Sequence, residues 1–531
     1  MKNRIREIYT NRIKDERRCE RLIDYFERRW FCPSTPILHN SGKKQGLPIS
    51  CFVNHVGDSM DHIRDAYNEA FEYARHGGGV GTFWGDVRER GAFVDKGEGW
   101  KTRGVIPFLK VQDSMSLAIT QGSVRNGSTA VYLNVWHPEI ENFIDLRRST
   151  GADPNRRCLN LHHGVIIDDA FMEAVIQDKD YSLRGCKTGE EVKRVSARDI
   201  WQRILSTRIE TGEPFLVFID TVNRNLPECF GDELKVHTSN LCTEILQPTS
   251  PDMPAVCCLG SLNLETYMEW EGQTEVIVED CLTFLDSILN EFLEKTAHIE
   301  GFKKTRESVQ KHRSVGLGTM GFHSFLQSMM VPFDSATAKA WNNKIFKSLH
   351  EAMKHFNAKI GNRFAFMSAI APTATISNHF RCSPSIEPWI SNIFTEKNDN
   401  GSEIRRNVVL DKLIRSRCVD PDKEWRKIQA DKGRVGGCDF LEDREKDVFK
   451  TAFEIDQRWI VDLAADRAKY IDQGQSVNLF FNSNVDIKHL LQVHISAWKK
   501  GVKSLYYCRS YAENRPQVVG QEKYKECLAC Q

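Results

Sequence analysis

From the strand candidate Thr129–Leu133 to about residue 350, strand-like and helix-like patterns alternate, and no other feature narrows the fold as much. Strand, helix and strand in succession bury their apolar faces most readily in an α/β architecture, with helices against a largely parallel sheet. At about 150 residues per domain, 531 residues suggest two to four domains, although a barrel exceeds that size as one unit. Ahead of the alternation, Tyr9, Ile13, Cys19, Leu22, Ile23 and Phe26 recur at helical spacing in a charged stretch, a helix that Pro33 and Pro36 are expected to end. Ser50–Val53 reads as a short strand, and Asp58 as the N-cap of a helix over Met60–Tyr73. The cluster Gly77-Gly78-Gly79-Val80-Gly81 permits close backbone approach. Residues 391–445 are charged and rich in turn residues, so they read as surface loops and short helices, followed by one long helix from about Arg444 to Tyr470. A further helix precedes Lys500-Gly501, Lys503–Cys508 reads as a strand, and a polar tail follows Ser510. Lys+Arg 73 against Asp+Glu 72 leave a formal charge of +1, which gives no footing for nucleic acid or an acidic membrane. No apolar run approaches the roughly 20 residues of a membrane span, and Met1–Arg6 lacks a signal-peptide core. The expectation is a cytoplasmic protein whose 16 cysteines are mostly reduced.

Ser239-Asn240-Leu241-Cys242-Thr243-Glu244 sets an amide, a thiol and a carboxylate at alternate positions. On an extended strand or finger-shaped loop these point to one side, bringing a hydrogen-bonding amide, an oxidisable sulfur and a general base to one volume. The plain alternative is a connecting loop with a buried cysteine. Cys51 and Cys257 also lie in strand-like settings, and without paired CxxC knuckles the spacing supports no zinc site. The single CxxC, Cys527-Leu528-Ala529-Cys530, reads as a redox pair, because two thiols cannot fill a tetrahedral site. As a coil, residues 511–526 reach roughly 22 Å, and about 50 Å extended, enough to deliver a dithiol into a buried pocket. Ala371-Pro372-Thr373-Ala374-Thr375-Ile376-Ser377 is either an anion site at a helix start or an ordinary hydroxyl-rich turn. Gly316-Leu317-Gly318-Thr319-Met320-Gly321 matches the dinucleotide fingerprint but lacks the required preceding strand. Tyr506-Tyr507 in a strand would normally face opposite ways, yet two stacked phenols can pass an electron and a proton in sequence.

Taken together these motifs resemble, from about Thr35 to Gln531, the large catalytic subunit of a class I ribonucleotide reductase, in a compact phage-type or related bacterial form. The resemblance implies a ten-stranded α/β barrel of two antiparallel halves, each of five parallel strands, with a central finger loop. It implies three regions: a shortened helical segment over 1–34, the barrel over 35–510 and a redox-active tail over 511–531. Cys242 would become a thiyl radical that takes the 3′-hydrogen of the ribose, Glu244 would be the base at the 3′-hydroxyl, and Asn240 would hydrogen-bond the substrate. Cys51 and Cys257 would supply two electrons and end as a disulfide, with Cys258 a bystander. Thr35, Ser50 and the run Pro372, Thr373, Ala374, Thr375, Ile376 and Ser377 would bind the substrate, with Ser385-Ile386-Glu387-Pro388 following in place. Asp58 and Arg88 would hold a deoxynucleotide or ATP effector with Mg²⁺, and Gln121 and Arg125 would pass its signal to the active site. Tyr506 and Tyr507 would relay a radical from a metal-containing small subunit. Cys527 and Cys530 would re-reduce the active-site pair and be served by thioredoxin or glutaredoxin.

The resemblance also implies a homodimer, with no covalently bound cofactor and no metal on this chain. The short stretch before the barrel leaves no room for an ATP-binding cone, so no dATP shut-off by that route is expected. An adenosylcobalamin-dependent class II reductase would share the finger loop and dithiol but need no tyrosine relay. A non-catalytic nucleotide-binding relative and a nicotinamide dehydrogenase are the remaining alternatives.

Overall fold

The structure, a computed structural model, describes residues 2–94, 99–121, 125–126, 128–148, 153–231, 234–398 and 401–511. Five strands run parallel in neighbouring order: β1 (Cys51–His55), β2 (Gly79–Phe83), β3 (Ser128–Asn134), β4 (His162–Ile167) and β5 (Phe215–Phe218). A second parallel set starts with β6 (Ala255–Asn263) and β7 (Val315–Met320) and ends with β8 (Ser504–Leu505). Between β7 and β8 the ladder passes through two irregular rungs. Val315 N donates to Phe366 O at 3.0 Å and Leu317 N to Met367 O at 2.8 Å; Ser476 N donates to Ile370 O at 2.9 Å, and Tyr506 N to Val477 O at 2.8 Å. The two sets meet antiparallel at both seams, β1 on β6 and β5 on β8, so counting the two rungs the ring closes with ten segments. A further short strand, Phe31–Pro33, pairs with β6 beyond β1.

The strands are buried on both faces, as barrel strands under a coat of helices must be. Alternation sorts their side chains. Cys51, Val53, Ala255 and Cys257 belong to the interior cluster, whereas Phe52, Val256 and Cys258 join the outer core under the helices. The longest helices of that coat, Thr274–Thr296 and Ala336–Lys359, bury apolar stripes such as Ile277, Cys281, Leu285, Ile288 and Phe292.

The N-terminal stretch forms two helices, Lys2–Arg12 and Glu16–Glu27, which share the outer core. Arg18 and Arg21 pin the second of them to the buried Asp280. Pro36 does not end a helix but opens one, Thr35–Asn40, where the first-turn amide it lacks has no intrahelical partner to lose. The expected long helix from Arg444 is two, Asp443–Val448 and Gln457–Ala468, the second capped by Asp456. Residues 391–445 are more ordered than their charge suggested: a hairpin, Ile393–Asn398 with Gly401–Arg406, and two helices enclose a core of their own around Leu410, Ile414, Trp425 and Ile428. The GxGxxG run is mostly strand β7. Its Gly318 has no room for a side chain, since a Cβ there would lie 2.3 Å from Ala369 O, so the glycines serve barrel packing. None of the helices among the described residues is long and apolar enough to cross a membrane.

Candidate active site

Between β5 and β6 the segment 239–247 enters the barrel without regular structure, yet every residue in it is buried. Such a loop must find partners for its backbone, and it does. Asn240 and Ser239 staple the tip: Ile245 N donates to Asn240 Oδ1 at 3.1 Å and Ser239 Oγ to Ile245 O at 3.0 Å. Thr243 takes a left-handed φ of 66° to turn the chain. Of the two forms expected, an extended strand or a finger-shaped loop, the tip is the loop, closed into a turn. From the walls, Tyr132 OH donates to Asn240 O at 2.5 Å, Ser504 Oγ to Thr243 O at 2.8 Å, and Gly474 N to Glu244 O at 2.7 Å. Ser476 Oγ lies 2.6 Å from Cys242 O and 3.2 Å from Glu244 Oε2, which ties thiol-bearing and carboxylate-bearing residues to one hydroxyl. Gly81 makes room: a Cβ there would sit 1.8 Å from Ser239 O.

Cys242 meets Tyr506, whose hydroxyl donates to Cys242 Sγ at 3.5 Å. Tyr507 follows with its ring centroid 4.3 Å from that of Tyr506, inclined by 49°. The two rings do not take opposite faces, because strand β8 ends at Leu505 and releases them from the pleat. Cys51 and Cys257 stand directly opposite each other across the β1–β6 seam. Opposed residues of an antiparallel pair have Cα atoms about 4.5–5.5 Å apart, within disulfide reach. Both are free thiols in this structure. Burial pushes the Cys257 thiol well above its ordinary range, the Gln473 amide at 3.6 Å works against it, and Cys51 and Glu244 reinforce it, so the sulfur keeps its proton at neutral pH. Gln473 also accepts from Gln247 of the finger at 3.0 Å, joining reductant to loop.

The hydroxyl-rich run starts a short helix, Ala374–Phe380, after the rung that ends at Ala371. Thr373 has a left-handed φ of 56°, and its Oγ1 accepts from Ser385 N at 2.7 Å. Ile376 and Ser377 are buried and Thr375 exposed. The side-chain oxygens of Thr35 and Ser385 and the Nδ2 of Asn240 are buried without a hydrogen-bond partner among the described residues. Ser50 is buried beside Cys51, its carbonyl accepting from Gly79 N at 2.7 Å. Glu387 accepts from Asn478 at 2.6 Å.

Asp58 and Arg88 come together as a bidentate pair, Nε to both carboxylate oxygens at 2.9 and 2.8 Å and Nη2 to Oδ2 at 2.7 Å. Asp58 is therefore not the helix cap; Ser59 is, accepting from His62 N at 3.1 Å. Gln121 and Arg125 are backbone partners in a two-stranded antiparallel pair, and their side chains lie outside the described residues. Cys527 and Cys530 also lie outside them. Ser476, Ser504, Gln473 and Tyr132 were not singled out in the sequence. Single hydroxyls and amides far along the chain carry no local signal; only the glycine cluster containing Gly81 hinted at a close approach.

The family model for the ribonucleotide reductase barrel domain matches residues 49–355 and 350–508. The putative ribonucleoside-diphosphate reductase large subunit of Frog virus 3 (isolate Goorha) is 40% identical over 535 residues, covering 96% of this chain and 92% of the relative. The large subunit of Invertebrate iridescent virus 3 is 35% identical over 568 residues, covering 93% and 88%. Among solved structures, the Actinobacillus ureae class Id ribonucleotide reductase alpha subunit superposes with a TM-score of 0.84 at 32% identity, covering 96% of this chain and 93% of that one. A buried cysteine at the tip of a finger inside a two-seamed barrel, matched along nearly its whole length by these relatives, places this chain in the ribonucleotide reductase family as a class I large subunit.

Proposed function

We propose that this chain reduces ribonucleoside diphosphates to 2′-deoxyribonucleotides, the reaction that its relatives' names describe, by a thiyl radical on Cys242. The observation that carries the reading is the contact of Tyr506 OH with Cys242 Sγ at 3.5 Å, with the tilted ring of Tyr507 packed behind it. A phenol near neutral pH must lose its proton with its electron, since its pKa is about 10. A thiol in contact with the phenol oxygen can then give up a hydrogen atom to it. In this reading the Cys242 radical takes the 3′-hydrogen of the ribose, Glu244 takes the 3′-hydroxyl proton, and the Asn240 amide, with its buried unpartnered Nδ2, binds the substrate. Cys51 and Cys257 give two electrons and two protons as the 2′-hydroxyl leaves as water, and end as a disulfide. Thr35, Ser50 and Pro372–Ser377 hold the substrate and its phosphates. The radical comes from a separate metal-containing small subunit, and the Cys527/Cys530 pair, served by thioredoxin or glutaredoxin, restores the thiols.

Asp58 and Arg88 are assigned to a deoxynucleotide or ATP effector with Mg²⁺, and Gln121 and Arg125 to its signal. The neighbouring helices Met60–Arg75 and Ile106–Ala118 leave Met60, Phe71, Val111 and Leu117 exposed, an apolar face that supports a homodimer with the effector at its edge. The test is deoxycytidine diphosphate formation from CDP with dithiothreitol, ATP and Mg²⁺. Product is expected with the cognate small subunit and not with adenosylcobalamin alone. Tyr506→Phe should lower turnover by about a hundredfold or more while CDP still binds, because one link of the relay is gone. Product with adenosylcobalamin alone, or full turnover in Tyr506→Phe, would remove the reading.

A further inference from the structure

Tyr507 sits in a cradle that the reaction as described does not explain. Its ring lies 4.3 Å from Tyr506, meets Phe215 edge-on at 5.0 Å, and has the Arg509 guanidinium 5.4 Å above it. Gly212 lies against the ring, where a Cβ would come 3.5 Å from Tyr507 Cδ1. At the phenol oxygen stands His162, with Nδ1 3.4 Å away. That same nitrogen is 2.6 Å from Glu213 Oε1. His162 opens β4 and Glu213 precedes β5, two strands paired in parallel register, so the barrel wall itself sets this geometry. The imidazole is further fixed by stacking on Phe215, centroids 6.1 Å apart and planes 18° apart.

Glu213 is buried, and its remaining partners are all donors or cations. Oε2 accepts from His163 N at 3.0 Å and His163 Nδ1 at 3.2 Å, and Arg147 Nε is 3.5 Å away. Burial alone would raise its carboxyl; Arg147, His162 and His163 overcome this and hold it well below the usual range, as a carboxylate. A carboxylate accepts only, so the His162 nitrogen that faces it carries the proton.

We propose that His162, fixed by Glu213, is a positioning residue of the tyrosine relay: its Nδ1–H is shared between the Glu213 carboxylate and the Tyr507 phenolic oxygen, and holds that oxygen while a hydrogen atom passes between the two tyrosines. The inference rests on the relay reading given above. A tyrosine as a phenol both donates and accepts, and as a phenoxyl it only accepts. An N–H beside the oxygen suits both states and keeps the ring packed against Tyr506 through the step. In that step the O–H bond of Tyr506 breaks and that of Tyr507 forms. One electron and one proton move together, Tyr506 is oxidised, the Tyr507 phenoxyl is reduced, and His162 keeps its proton throughout.

The experiment is carried out on the full chain with its small subunit, comparing His162→Leu, His162→Asn and Tyr507→Phe. Leu removes the donor; the Asn amide restores an N–H near the Nδ1 position. A hydrogen bond shared between a carboxylate and the phenol oxygen is lost in His162→Leu, so kcat is expected to fall about tenfold or more, with KM and the dissociation constant for CDP within about twofold. His162→Asn should recover most of that loss. Full turnover in His162→Leu, with Tyr507→Phe inactive, would overturn the role of His162 and leave the relay standing. Equal losses in the Leu and Asn variants, both still binding CDP, would overturn the donor role. Full turnover in Tyr507→Phe would instead overturn the relay itself.

Discussion

Cys257 and Cys258 are neighbours in the chain and strangers in space. Strand alternation sends Cys257 into the barrel, opposite Cys51, and Cys258 into the outer core beneath the helices. Cys257→Ser is therefore expected to stop multiple turnover, with at most one reducing equivalent left at the seam. Cys258→Ser should keep kcat and lose only stability, about 1–3 kcal/mol for a buried hydroxyl in place of a thiol. Turnover with dithiothreitol and a urea melt on each variant would separate them, and equal activity losses would contradict the facing deduced from the register. At this scale much of the site was legible. Asn240, Cys242 and Glu244 stand out by alternate spacing and Tyr506-Tyr507 by adjacency, yet each pattern alone also fits a plain loop or a structural pair, and only their order along the chain set them together. Ser476, which bridges Cys242 and Glu244, did not stand out, since a lone serine more than 230 positions away has no pattern to belong to.

The finger is the element on which everything else bears, and it is held by neighbours that gave up their side chains. Gly81→Ala would drive a methyl group to 1.8 Å from Ser239 O, against backbone that cannot rotate away. The finger or strand β2 must then shift, and displacements of this kind cost about 1–3 kcal/mol, with a far larger loss in rate because Cys242 leaves its contact with Tyr506. Gly436→Ala, at a position where a Cβ meets nothing within 4 Å, is the matched control and should change neither melting temperature nor turnover. An active Gly81→Ala enzyme would mean that the finger position is not critical. The strands at Ser50–Val53 and Thr129–Leu133 and the helix from Met60 were readable because their apolar period is strong, whereas β2 and β7 were hidden in glycine runs that read as a close-approach cluster and a dinucleotide fingerprint. The rungs 366–371 and 474–478 were not, because each pairs through only a few backbone bonds and neither repeats a strand pattern for long. The lobe around Trp425 carried its apolar spacing openly, at Leu410 and Ile414 and at Trp425 and Ile428, but dense charge between those positions masked it.

Taken whole, the molecule is built around neutral buried histidines as well as around its buried finger. His137 accepts from Glu139 N at 3.0 Å, His323 from Trp389 N at 2.9 Å, and His494 Nε2 from Arg208 Nε at 3.3 Å. Protonation would set N–H against N–H in each case. Burial lowers His137 to about 4, and His323 and His494 to about 3. Unfolded histidines take up protons near pH 6.5. Between that value and about 4 the unfolded chain thus binds more protons, and stability that is complete above pH 6.5 is lost as pH falls, at about 1.4 kcal/mol per unit for each histidine and about 4 for the three together. Urea unfolding from pH 6.5 to 4.5 should show a slope of at least this size, and His137→Gln should reduce it by about 1.4 kcal/mol per pH unit; an unchanged slope in the variant would refute the assignment. The two seams have a consequence in time. The finger is synthesised near the middle of the chain, but its walls include Ser476, Ser504 and Tyr506. At about 5–20 residues per second, a ribosome needs roughly half a minute to two minutes to reach Tyr506. Until then Cys51 and Cys257 can already face each other while Cys242 has no Tyr506 beside it, so under the proposed relay a nascent chain would hold its reductant before it could carry a radical.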